Sequence, residues 1–166
     1  YPWWIFGALA STAIVGTTAY GMTMGLLHGP EKMLADGLAL TFAAGVAWSL
    51  PLPALYILNS LTGSRLRPST TFLAALVTTS WGGLALLASI PIALFFTAAL
   101  ANPWLVLLVH LVVFAGVGVS MVDVFGRVMA KLEPGRGRTP AAWLILVGTL
   151  GAELFYAMGL FQSIVS

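Results

Sequence analysis

Two imidazoles and one carboxyl group are the side chains whose surroundings point most directly to chemistry. His110 and Glu153 lie inside long apolar runs, and His28 closes another. Neutral imidazole is the usual protein ligand of haem iron and serves a chlorophyll magnesium as well, and it also handles protons. His110 therefore has three readings: a hydrogen-bonded packing residue, a pigment or haem ligand, or a proton or ion carrier. His28 precedes Gly29-Pro30 and reads as a helix-end cap. The two histidines make a poor bis-imidazole pair, because the seven residues from Pro103 to His110 are about 10 Å of helix, whereas His28 is placed near the surface. Glu153 has no cation between Trp143 and Ser166. A carboxyl group buried in hydrocarbon costs roughly 2.5–3.5 kcal/mol on insertion scales. It should then face protein or a wet cavity, as a neutral group that fixes packing or as a step on an ion or proton pathway. Counted at 1.5 Å per residue from the arginine-rich end of their helices, His110 lies at roughly 24 Å and Glu153 at roughly 18 Å. If the two helices are neighbours, Glu153 is expected to hydrogen-bond either His110 or Ser and Thr hydroxyls of neighbouring spans.

Other chemistry is excluded by what the chain lacks. There is no cysteine, so thiolate metal sites and disulfides are ruled out, and no metal site is expected. No GxSxG elbow, HExxH pair or glycine-rich phosphate loop occurs, and the chain is not expected to be an enzyme. Asp123 stands four residues before Arg127, the spacing of an intrahelical ion pair. Lys32 and Asp36 share that spacing.

The elements that position these residues follow from hydropathy. Hydrophobic residues make up 60% of the 166 and charged ones 7%, against about 25% charged in a soluble domain. An all-α, single-domain, polytopic transmembrane helix bundle is expected, with lipid bilayer as its solvent and no nucleic-acid partner. Apolar runs of the length needed to cross a bilayer predict five spans, at about 3–27, 34–61, 71–100, 104–126 (its helix continuing to 132) and 141–164. Residues 1–27 are too long and too rich in Thr and Gly for a signal peptide, and read as a retained helix. Pro51 and Pro53 should kink or break the second span near 49–54, and Pro91 should bend the third. Arg65, Arg67, Arg127, Lys131, Arg136 and Arg138 fall on one side and Lys32 alone on the other. The positive-inside rule then places the N-terminus in the cytoplasm and the C-terminus outside, with Trp3, Trp4 and Trp143 at the inner interface and Trp104 at the outer one. Gly21 and Gly25, Gly116 and Ser120, and Gly148 and Ala152 recur at spacings of four, where helices can approach closely, within the bundle or against other subunits.

Gly29-Pro30-Glu31 leading into an apolar helix, followed by the run 61–76 (LTGSRLRPSTTFLAAL), resembles the bacterial members of the Yip family of five-span membrane proteins. The resemblance implies a non-enzymatic scaffold or interaction role and supplies no site residues. Function is thus expected to be that of a non-catalytic subunit or scaffold in a larger membrane complex. The alternatives are a small transporter or proton- or ion-conducting subunit using Glu153 and His110, and a haem- or chlorophyll-binding subunit of an electron-transfer or light-harvesting complex.

Overall fold

A computed structural model describes residues 2–61, 63–135 and 141–165, with the backbone alone at 141–144 and 163. Among these residues seven helices follow one another: α1 (Trp3–Met24), α2 (Pro30–Ser49), α3 (Leu52–Leu61), α4 (Pro68–Ala99), α5 (Pro103–Leu132), α6 (Ala141–Ala157) and the short α7 (Gln162–Val165). A 3₁₀ turn, Leu26–His28, links α1 to α2. No strand occurs among the described residues. Among the described residues, four segments are long and apolar enough to cross a membrane: Trp3–Met24, Pro30–Leu61, Pro68–Ala99 and Pro103–Leu132.

The prolines act where the sequence places them. The second span breaks at Leu50 and Pro51, between α2 and α3. Pro51 lacks an N–H and its ring crowds the preceding turn, so α2 stops with the Leu50 N–H donating to the Val46 carbonyl, 3.0 Å. Pro51 and Pro53 then stand at the opening of α3, where a missing donor costs nothing. Pro91 lies inside α4, which continues to Ala99.

The fifth expected span is shorter than 141–164, because α6 ends at Ala157. Gly159, at φ +70°, closes it in a Schellman motif. Its N–H donates to the Tyr156 carbonyl (3.0 Å) and that of Leu160 to the Phe155 carbonyl (3.1 Å), and Leu160 and Phe155 meet in the same apolar cluster, as this cap favours. At 17 residues, α6 is about 26 Å long.

Helix α1 lies between α2 and α4, α4 also packs on α5, and α7 packs on α5. Glycine makes the α1 contacts possible. A Cβ on Gly16 would stand 2.1 Å from the Gly83 carbonyl oxygen of α4, and one on Gly21 would stand 2.8 Å from Gly37 Cα of α2. The two backbones touch directly on both sides of α1, and Thr41 Oγ1 adds hydrogen bonds to Thr18 Oγ1 (2.8 Å) and Thr17 Oγ1 (3.1 Å) across the α1–α2 seam. Helix α6 does not pair chiefly with α5, as the hairpin between them suggested, but packs mainly on α2. It reaches α5 through Phe155, whose ring lies 5.2 Å from that of Phe114. In keeping with this, Gly116, Gly118 and Gly148 have none of the described residues within 4 Å of a Cβ, so these small residues do not form a close α5–α6 backbone seam.

At the arginine-bearing end, Glu133 Oε1 accepts from Ser64 Oγ (2.8 Å) and from the Arg65 N–H (3.1 Å). This ties the α3–α4 loop to the end of α5. Arg127 and Asp123 form the expected ion pair at 2.9 Å on an exposed face, which contributes little to stability. Arg136, Arg138 and the side chain of Trp143 lie outside the described residues.

Candidate functional site

The approach of α1 to its neighbours fixes Tyr20, fully buried on the helix between Gly16 and Gly21. A buried hydroxyl without a partner costs about 1–3 kcal/mol. Tyr20 meets this requirement through His110 of α5, with its Oη 2.8 Å from Nδ1 and the two rings edge to face at 5.5 Å. Phe114, one turn along α5, packs edge to face on Tyr20 at 5.5 Å. A phenol is a better donor than a neutral imidazole N–H, and an imidazole nitrogen a better acceptor than a phenol oxygen. The bond therefore runs from the Tyr20 O–H to Nδ1, which puts the imidazole proton on Nε2.

His110 is 1% exposed, yet it lines a cavity of about 100 Å³ at the end of the bundle that carries His28 and Asn102. His28 and Thr97 line the same cavity, with Met24, Leu27, Val106 and Ile164 among its apolar walls. The structure thus brings the two histidines to one pocket, which the depth count did not expect. His28 is the last residue of the 3₁₀ turn, at the helix end where the sequence puts it, and it also stands on the cavity wall. Thr97 was not singled out by sequence. The hydroxyls of Thr71, Thr78, Thr79 and Ser89 bond back to the carbonyl four residues earlier on α4. Thr97 Oγ1 is buried and makes no hydrogen bond.

Glu153 is placed elsewhere. It is exposed on α6 and makes no hydrogen bond or ion pair with any described residue. The expected link to His110 does not form, because Tyr20 occupies Nδ1 of the imidazole and α6 packs mainly on α2. Leu146, Thr149 and Tyr156, at −7, −4 and +3 from Glu153, are exposed with it, so the carboxyl sits in an uncovered, mostly apolar stripe.

A second carboxyl is the reverse case. Asp36 is 3% exposed, where α2 meets α1. Lys32 Nζ bonds its Oδ1 at 2.9 Å as the spacing predicted, while Oδ2 is buried without a partner. Among the described residues no group of three or more His, Cys, Asp or Glu side chains gathers to hold a metal. A tetrapyrrole does not fit the histidine pocket, since a cavity of about 100 Å³ is far too small for a haem or chlorophyll ring between His28 and His110. Comparisons with protein-family models, curated proteins and solved structures return no match, so the Yip likeness rests on the residues quoted above.

Proposed function

We propose that the chain is a five-span integral membrane protein that serves as a non-catalytic subunit or scaffold, with α6 turned toward another membrane protein. The observation that carries this reading is Glu153, an ionisable side chain uncovered in an apolar stripe of α6. Facing lipid, it would carry the cost given above, and such residues in membrane segments face protein or water. Helices α1 to α5 supply four spans, and α6 with the turn and α7 supplies the fifth, a little short of the hydrocarbon thickness of about 30 Å. Further support comes from Gly116, Gly118 and Gly148, which leave room for close helix approach that none of the described residues fills. The N-terminus and the arginine-bearing loops lie in the cytoplasm and the C-terminus outside, on the cation distribution. Conduction through Glu153 and His110 lacks the side-chain link it needs, and the scaffold role also agrees with what the Yip resemblance implies.

The test is the mass of the particle extracted from native membranes in lipid nanodiscs, for the unaltered chain, Glu153→Gln and Glu153→Leu. Against a 17.4 kDa chain, the reading expects a larger particle that Glu153→Gln preserves and Glu153→Leu dissociates. A single chain in all three cases would overturn it.

A further inference from the structure

At the end of the bundle opposite the histidine cavity, the loop between α3 and α4 presents two arginines in an attitude that its neighbours dictate. Residues 64–67 lie outside any helix, and Arg67 is extended (φ −72°, ψ 151°). Successive side chains of an extended segment point to opposite sides. Leu66 packs against the buried cluster of Leu55, Phe125 and Met129, so Arg65 and Arg67 point outward, and both are exposed. The loop is held from α5, because Glu133 Oε1 accepts from Ser64 Oγ and from the Arg65 N–H, and Ser64 Oγ accepts in turn from the Leu66 N–H (3.2 Å). Alternate residues of such a segment stand about 7 Å apart, so the two guanidinium groups can meet on one phosphate, whose oxygens the planar fork of arginine fits.

Neither arginine is neutralised within the described fold. Arg127 is paired with Asp123 and Lys32 with Asp36, whereas Arg65 and Arg67 form no ion pair with any described residue. The surface beside them is apolar and aromatic. Arg67 immediately precedes α4. One turn into that helix Phe72 is exposed and stacks on Phe6 of α1, with ring centroids 6.3 Å apart, and Trp3 and Trp4 are exposed at the same end of α1. An anion on the arginines thus has hydrocarbon-compatible surface next to it, which a free phosphate does not use and a phospholipid does.

We propose that Arg65 and Arg67 bind the headgroup phosphate of an anionic phospholipid, with its acyl chains lying over Phe72 and the first turn of α1. The site needs the bundle to lie in a bilayer, as read above, and Arg67 at the start of a span then stands at headgroup level.

The experiment uses the whole chain in mild detergent. Native mass spectrometry measures retention of dioleoyl phosphatidylglycerol against dioleoyl phosphatidylcholine, which has the same acyl chains and no net charge. A basic residue beside an anionic headgroup contributes about 5-fold in affinity, so phosphatidylglycerol should be held about 5- to 25-fold more tightly. Arg65→Gln and Arg67→Gln should each weaken its retention about 5-fold, and the double substitution about 25-fold. Arg127→Gln removes the same charge from the same end of the bundle, but from a residue already paired with Asp123, and should leave the lipid preference unchanged. Equal retention of the two lipids would overturn the proposal. So would an equal loss with Arg127→Gln, the mark of diffuse attraction to a charged surface, or displacement of the lipid by inorganic phosphate at matched concentration, the mark of a site for a free anion. Carbonate washing of membranes that carry the chain keeps the two readings apart: a chain that stays in the pellet while the lipids are held equally refutes the headgroup site alone, and a chain released into the wash refutes the membrane reading with it.

Discussion

Replacing Gly16 by alanine tests the packing on which the rest of the bundle depends. A Cβ there would stand 2.1 Å from the Gly83 carbonyl oxygen and 2.7 Å from Gly83 Cα, about 1.3 Å inside the 3.4 Å where ordinary contact begins. Both obstacles are backbone, so no rotamer change relieves them and α1 must move away from α4. Overpacking of this kind costs about 1–3 kcal/mol. The move also strains the bond from Tyr20, one helical turn along α1, to His110, worth about 0.5–1.5 kcal/mol. Gly7 and Gly118 are internal controls, because nothing lies within 4 Å of a Cβ at either. There alanine removes only the helix penalty of glycine and should be neutral or stabilising by up to about 1 kcal/mol. Reversible unfolding in mixed micelles, followed by circular dichroism, reads all three. Gly16→Ala should lower stability while the controls do not. If Gly16→Ala stabilises the protein as much as Gly7→Ala, the α1–α4 contact is not a backbone seam and the packing argument fails.

Further expectations follow from single contacts. Tyr20→Phe and His110→Phe should each destabilise by about 1–3 kcal/mol, because each leaves a buried polar partner unbonded; in a double-mutant cycle of melting curves the pair should cost less than the sum, and strict additivity would deny the bond. Asp36→Asn should be close to neutral, whereas Lys32→Met, which leaves the Asp36 carboxylate buried without its cation, should destabilise measurably in the same assay; the opposite order would show that the ion pair does not offset the burial of Asp36. A cysteine at Ser69 should be shielded from an impermeant thiol reagent in intact cells and one at Asn102 should react. Labelling in the reverse sense would invert the orientation.

Much of this architecture is legible in the chain because long apolar helices announce themselves in the hydropathy, and because Pro51 cannot donate a backbone bond wherever it sits. The Lys32–Asp36 and Asp123–Arg127 pairs follow from spacing along one helix. What lies across helices is harder to read. Gly21 was identifiable as a packing residue, but its fit against Gly37 depends on the rotation of two helices that no local pattern fixes. The end of α6 could have been found: Gly159, followed by Leu160, is a Schellman signature inside a run that hydropathy alone reads as unbroken. The assumption that α5 and α6 pair because they are consecutive misplaced Glu153, and with it the partner of His110. Tyr20 and Thr97 carry no sequence signal of their own, since one is an ordinary aromatic in an apolar helix and the other one of several hydroxyls on α4.

The most direct test of the central proposal is photocrosslinking from the α6 stripe in native membranes. A benzoylphenylalanine placed at Tyr156, exposed one turn from Glu153, should yield protein adducts of discrete mass, and one at Leu108, exposed on α5 away from that stripe, should yield mainly lipid adducts. Lipid adducts alone at Tyr156 would contradict the account, for Glu153 would then face the bilayer with nothing to cover it.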